Sequence, residues 1–425
     1  MINNSYWFYL EPYVHITLKK NRLLLYNTLT GKALEYDEEY QEIINLVKRL
    51  KLKKNSMVVN ITDSKIRHSP LIESFLEDIK EYFMGDVIKN SMVSSRPFQM
   101  IPILNIFRDV NKLKKMRGRS VGEDIKKYLN EITFYITTQC PQDCGICNKV
   151  HKQFLFCYKG AGKYELAPEI VKNILVGSSL SSLTQINFIG GDISSYSKIK
   201  QLARSLKVFP WKKVFYIHYL NLVKCQKFLD LLAEIGAELV VLIDSPIKTD
   251  ALINVYRYVL KSKIFTYWNF ALQCESEIEK VNEIKSTISI KDIKLKPFFN
   301  GENMDFFKKY VFIKDKDSLF NLRLSLKELY SRQVMNPLNF GKAFVKADGK
   351  VVTDINALSK YNKSGYDSIY DAIYNEMLKG KNWFRIRANV KPCRNCVFNL
   401  FCPPLSNYEY AIGRNNLCHI FCGRE

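Results

Sequence analysis

The stretch Thr137–Cys157, TTQCPQDCGICNKVHKQFLFC, sets Cys140, Cys144 and Cys147 in a C-x3-C-x2-C array. Directly before it runs Ile132–Ile136, a short apolar segment of β-branched and aromatic residues. Such a run reads as a buried strand, with the cysteines on the loop beyond its end. Three thiolates on one short loop can wrap a single metal centre without help from distant parts of the chain. Zinc is one occupant, but its hooks favour paired C-x2-C spacings and tetrahedral closure, and the first gap here is three residues. An iron–sulfur cluster is the other. A four-iron cluster held by three cysteines keeps one iron open to a further ligand. Cys157 as a fourth thiol would close the shell around either metal.

Beyond the array, apolar runs and amphipathic segments alternate. The strands are read at Ile132–Ile136, Gln185–Ile189, Lys213–His218, Leu239–Ile243, Phe265–Leu272 and Ile293–Pro297. Helices are read between them at Pro168–Val176, Ser197–Leu206, Leu222–Ile235, Ala251–Leu260 and Glu275–Ser286. Near-continuous apolar strands joined by helices predict an α/β fold, a parallel sheet with helices packed outside. In barrels of this kind, functional residues gather at the C-terminal ends of the strands. The cysteine loop follows the first strand, as that rule asks. The second strand ends in Phe188-Ile189-Gly190-Gly191-Asp192. Two glycines let backbone approach a ligand closely, and an adjacent carboxylate can hold an ammonium group. Cys225 falls in a helical pattern and Cys274 at a strand–helix junction, and both read as core or incidental thiols.

A second cysteine group lies near the C-terminus: Cys393-x2-Cys396-x5-Cys402, then Cys418 and Cys422. Zinc ribbons share the C-x2-C element, so both metals stay open here too. Ahead of it, Phe340 to Val352 reads as a hairpin turning at Asp348-Gly349. At the other end of the chain, three short strands are read at Tyr13–Leu18, Leu23–Asn27 and Ala33–Tyr36. Two helices follow, with Ile43, Val47 and Leu50 on one face of the first and Ile72, Phe75, Leu76, Ile79 and Phe83 at helical spacing in the second. This is a winged-helix-like pattern.

The 425 residues carry 47% hydrophobic side chains, enough for a substantial core and against disorder. No apolar stretch reaches the ~20 residues of a membrane span. The first residues show no basic segment followed by an apolar one, and eleven cysteines without such a signal point to metal ligands in a reducing compartment. A cytoplasmic address is expected. The formal charge of +22 admits nucleic-acid binding, but the basic residues are dispersed apart from Arg108–Arg119, and no nucleic-acid-reading motif is present. A solvated lysine-rich surface, compatible with an acidic peptide partner, is the preferred reading.

The C-x3-C-x2-C array, the Gly190-Gly191-Asp192 strand end and the C-terminal cysteines together resemble the radical S-adenosylmethionine (SAM) enzymes with a SPASM extension. That resemblance implies a partial (β/α)6 barrel at 131–300, a peptide-recognition module at 1–86, a linker with a basic helix at 87–130 and a reduced SPASM-like domain at 301–425. It implies a [4Fe-4S] cluster on Cys140, Cys144 and Cys147, with Gly190, Gly191 and Asp192 contacting SAM. It also implies one auxiliary [4Fe-4S] cluster on Cys393, Cys396, Cys402 and Cys418, with Cys422 competing for the last position. Asp354 and Ser406 stand where the family's other auxiliary ligands fall, so one auxiliary site is expected rather than two. The activity implied is maturation of a ribosomally synthesised peptide, bound through its leader, by hydrogen abstraction with a deoxyadenosyl radical. The chain departs from the family at Ile146, where an aromatic residue is usual, and at Asp192, where glutamate is usual. These departures resemble a divergent, pseudo-radical branch, which implies a second reading: an inactive protein that binds the leader and escorts it to a partner radical SAM maturase.

Overall fold

The computed structural model describes residues 5–52, 57–98, 105–115, 125–142, 144–179, 181–223, 225–357, 365–380 and 382–420. Cys422 and part of the basic Arg108–Arg119 segment lie outside them. The chain is α/β. Six strands, β7 (Glu131–Thr137), β8 (Gln185–Gly190), β9 (Lys212–His218), β10 (Glu238–Ile243), β11 (Thr266–Leu272) and β12 (Ile293–Pro297), pair in parallel, each with the next in sequence. The helices Pro168–Gly177, Ile199–Leu206, Gln226–Glu234, Thr249–Ser262 and Glu275–Thr287 connect them.

Alternation along each strand sorts side chains onto two faces. Phe134, Phe188 and Phe215 point outward under the helices and stack at 5.5 and 4.7 Å between ring centroids. Tyr135, Ile189, Val214, Val240, Leu242 and Ala271 point inward and form a separate inner core. Both faces are therefore dry over most of β7 to β10, which is why these strands read as apolar runs, whereas the edge strand β12, IKLKP, leaves Lys294 and Leu295 exposed. The sequence places two of the six strand starts, Gln185 and Ile293, on the same residue and the other four one residue away.

The C-terminal hairpin differs from its expected place. β13 (Lys342–Val345) pairs in parallel with β7, on the side opposite β8, and β14 (Val351–Val352) turns back on it. The hairpin thus extends the barrel sheet, giving the order β12-β11-β10-β9-β8-β7-β13-β14. Its turn places Gly349 at φ +83°, a conformation that favours glycine.

The N-terminal region holds six strands where three were expected. β2 (Val14–Lys19), β3 (Arg22–Asn27) and β4 (Ala33–Tyr36) form the expected meander. β1 (Ser5–Leu10), β5 (Val58–Thr62) and β6 (Gly85–Lys89) form a second sheet with β1 in the middle. The helices Gln41–Leu52 and Pro70–Glu81 close over them, burying Ile43, Val47, Phe75 and Ile79 with Phe8, Leu23 and Leu25. The second helix begins where Ser69 accepts a hydrogen bond from the Ile72 N–H, with Pro70 in its first turn. β3 serves two cores. Leu23 and Leu25 face the N-terminal helices, while Leu24 and Tyr26 pack on Phe401 and the cysteine-bearing segment near the C-terminus. No helix among the described residues is long and apolar enough to cross a membrane.

Candidate metal centres

The cysteine loop is seated by the end of β8. Gly191 N–H donates to the Thr137 carbonyl at 2.8 Å and Asp192 N–H to the Gln139 carbonyl at 2.6 Å. A Cβ on Gly190 would collide with the Thr137 carbonyl, and one on Gly191 with the Gln139 carbonyl. The close approach that the two glycines permit is thus made to the chain's own cysteine loop. Asp192 is buried, and its carboxylate accepts from the Ser194 N–H at 3.0 Å and the Ser194 hydroxyl at 2.6 Å, capping a short turn. Gly191→Ala is expected to unseat the loop and lower metal retention at the array by at least tenfold. Metal analysis after gel filtration checks it, with the C-terminal centre as internal control.

Cys140 and Cys144 are half-buried and Cys147 is buried at the head of a single helical turn, Cys147–Val150. The Asn221 amide donates to Cys140 Sγ at 3.8 Å. The chain then enters the barrel lumen. Phe156, Cys157 and Tyr158 join Tyr135, Ile189 and Leu242 in the inner core. Burial, and then the neighbouring Cys147, Cys144, Asp244 and Cys140, push the Cys157 thiol well above its ordinary pKa. A thiolate there needs a cation.

The lumen segment is fixed at both ends. The Gln153 amide donates to the Phe299 carbonyl at 2.7 Å and accepts from the Phe299 N–H at 2.9 Å, tying it to the loop after β12. Tyr158 N–H donates to the Gly190 carbonyl at 2.9 Å. His151 stacks on Tyr158 at 4.0 Å, and burial lowers its pKa to about 4. Sequence reasoning missed two further groups. His218 ends β9 and Asp244 directly follows β10; His218 Nε2 lies 2.7 Å from Asp244 Oδ1. Their signal was position, since both stand at C-terminal strand ends.

The C-terminal thiols Cys393, Cys396, Cys402 and Cys418 are all buried. Burial pushes Cys396 up to about 11 and Cys402 up to about 12; the other three thiols of the group push Cys402 up further, against the pull of Arg387. Four buried thiols grouped in this way are a donor set that suits a metal. Arg387 stands beside them. Its guanidinium donates to Glu409 Oε1 at 2.8 Å, to the Pro403 carbonyl, and to Cys393 Sγ at 3.6 Å. Arg332 donates to the carbonyls of Leu400, Phe401 and Cys402 at 3.0–3.1 Å, fixing the turn that carries Cys402.

Tetrahedral zinc, at about 2.3 Å per Zn–S bond, holds its thiolates roughly 3.8 Å apart. Among the described residues, the one trio of Cys, His and carboxylate ligand atoms within 4.8 Å of one another is Cys144, His218 and Asp244. Among the described residues, no three of the thiols meet within that distance.

No protein-family model and no curated protein matches the chain. Among solved structures, Streptococcus suis SuiB bound to S-adenosylmethionine aligns over 98% of this chain and all of its own, at 15% identity and a TM-score of 0.43. SuiB bound to the precursor peptide SuiA aligns over 96% of this chain and 97% of its own, at 12% identity and TM-score 0.41. anSMEcpe with bound AdoMet and the Kp18Cys peptide covers 67% of this chain and 94% of its own, at 12% identity and TM-score 0.45. With every one of these scores below 0.5, the functional reading rests on this chain's own residues.

A cavity of about 240 Å³ opens between the array and the C-terminal segment, with Lys149, Lys152, Asn300, Asn356 and Tyr410 in its wall. Lys149 Nζ donates to the Asn300 carbonyl at 2.8 Å.

Proposed function

We propose that this chain binds a ribosomally made precursor peptide, carries iron–sulfur centres at its two thiol sites, and does not cleave SAM. It presents the peptide to an active maturase. The observation that carries this reading is the filled lumen: Phe156, Cys157 and Tyr158 lie in the inner core, and the Tyr158 N–H engages the Gly190 carbonyl. The Gly190-Gly191-Asp192 backbone and the Asp192 carboxylate, which the resemblance assigns to the cofactor, are engaged by the chain itself. These internal contacts are the ground for proposing that SAM is not bound here. Iron–sulfur clusters do fit the thiols: Cys140, Cys144 and Cys147 with Cys157 at hand, and Cys393, Cys396, Cys402 and Cys418. When bound, a cluster supplies one-electron redox capacity and cross-links the loops that hold it.

Residues 1–86 are the proposed peptide-recognition module. The β2-β3-β4 meander has outer edges at β2 and β4, and an extended leader adds to such an edge by main-chain hydrogen bonds. Residues 301–425 are proposed to hold the second centre, next to that meander. The rival reading, a radical enzyme abstracting hydrogen from the peptide, is favoured by the three-cysteine array at the end of the first barrel strand. Calorimetry against leader peptides encoded beside its gene is expected to show binding. Incubation of the cluster-loaded protein with SAM, a reductant and the full precursor is expected to yield no deoxyadenosine above the protein-free blank. Multiple turnovers of deoxyadenosine would overturn the inactive reading, and absence of peptide binding would overturn the escort role.

A further inference from the structure

His218 is an unusual core residue. It is 1% exposed, and Asp244 holds its Nε2 at 2.7 Å. Its Nδ1 is buried with no hydrogen-bond partner. Phe156 and Tyr219 pack against the ring, so its orientation is set by neighbours on two elements as well as by Asp244. An unpaired polar atom in a dry core is costly; His15 and His151 also carry an unpartnered nitrogen, and what sets His218 apart is its place beside both a carboxylate and a cysteine thiol. The carboxylate at Nε2 takes the ring's N–H and leaves a lone pair at Nδ1. That is the pattern of metal-bound imidazole: one nitrogen on the metal, the other donating to a carboxylate that fixes tautomer and orientation. Cys144 Sγ, a ring nitrogen of His218 and an oxygen of Asp244 lie within 4.8 Å of one another. The thiol, the imidazole and the carboxylate come from three separate strand ends, so no single local motif accounts for their meeting.

We propose that His218 is a nitrogen ligand of the metal centre to which Cys144 belongs, and that Asp244 is the positioning residue that aims it. This rests on the reading above that the array holds metal, and deepens it: the chain supplies a group of its own at the position an external ligand would need. The bond formed is a dative one from the imidazole lone pair. The ring keeps its proton toward Asp244, and no electron is transferred.

The test uses the full chain loaded anaerobically with iron and sulfide, reduced, and read by pulsed electron paramagnetic resonance. Wild type is expected to show a strongly coupled nitrogen that changes to the two-level pattern when the histidines are labelled with nitrogen-15. His218→Ala is expected to lose this coupling, and His218→Asn is the second variant should alanine fail to fold. His151→Ala is expected to keep it; His151 is the other buried histidine near the array, with its own unpartnered Nε2. Asp244→Asn is expected to retain the coupling but to weaken metal affinity roughly 10- to 100-fold. If iron does not load, cobalt(II) is titrated into the metal-free protein and the same coupling is read on it. A wild-type spectrum without coupled nitrogen, coupling that survives in His218→Ala, or no metal bound at the array would each overturn the proposal. Leader binding is measured separately, so its failure removes the escort role and leaves the ligand assignment standing.

Discussion

Replacing Arg387 by methionine is expected to destabilise the C-terminal region by about 3–5 kcal/mol, the range for breaking a buried ion pair from one side. The side chains of Arg387 and Glu409 are 4% and 0% exposed. Removing the guanidinium leaves the Glu409 charge without its cation and withdraws the donor from Cys393 Sγ and the Pro403 carbonyl. Glu409 keeps its bonds from the Ser406 N–H and hydroxyl at 2.9 and 2.6 Å, which are too few to offset an unpaired charge in a dry core. Adding Glu409→Gln to Arg387→Met is therefore expected to recover more than half of the loss, since no charge then remains buried. Denaturant titrations of the two single variants and the double variant check this. A double variant less stable than Arg387→Met would mean that the guanidinium acts through the thiols and not through Glu409.

The second large effect is expected on removing the C-terminal metal. Cys396 and Cys402 share a core with Leu24 and Tyr26 of β3, and Tyr26 meets Phe401 at 4.9 Å between ring centroids. Without a metal to hold its four thiols, the Phe398–Cys402 turn loses its anchor, and the β2-β3-β4 meander loses the surface it rests on. Cys402→Ala, or chelation of the wild type, is expected to raise amide exchange in β2 and β3 at least tenfold and to weaken leader binding by a similar factor. Exchange confined to residues 393–418 would show that the meander stands alone. The same seam gives a pH dependence. His15 packs against Tyr330 and Phe401, and burial holds its pKa at about 4. Its folded pKa lies below the unfolded value of about 6.5, so the neutral ring's contribution is complete above pH 6.5 and fades as the pH falls toward 4. The shift corresponds to roughly 3 kcal/mol. His15→Phe is expected to flatten stability over that window, which melting curves at pH 7, 5.5 and 4.5 would reveal.

What could be read from the sequence divides along physical lines. The central barrel strands β7 to β10 were legible because both faces are largely buried and the runs are mostly apolar. β1 was not, since Tyr6 to Tyr9 is aromatic without alternation and its partners β5 and β6 lie some fifty and eighty residues on. β13 reads as half of a local hairpin; its parallel pairing with β7 is a long-range contact that a turn motif cannot announce. The array and the two glycines stood out by spacing, but what the glycines approach was visible only once Thr137 and Gln139 lay against them. His218 and Asp244 have no motif at all and belong together only because β9 and β10 are neighbours.

The central claim is that the chain's own residues occupy the cofactor's place in the barrel. Its most direct test is electron paramagnetic resonance of the reduced, cluster-loaded protein with and without SAM. The account predicts spectra that superimpose. A signal from the Cys140, Cys144 and Cys147 centre that shifts on adding SAM would mean an iron open to it, and would contradict the account.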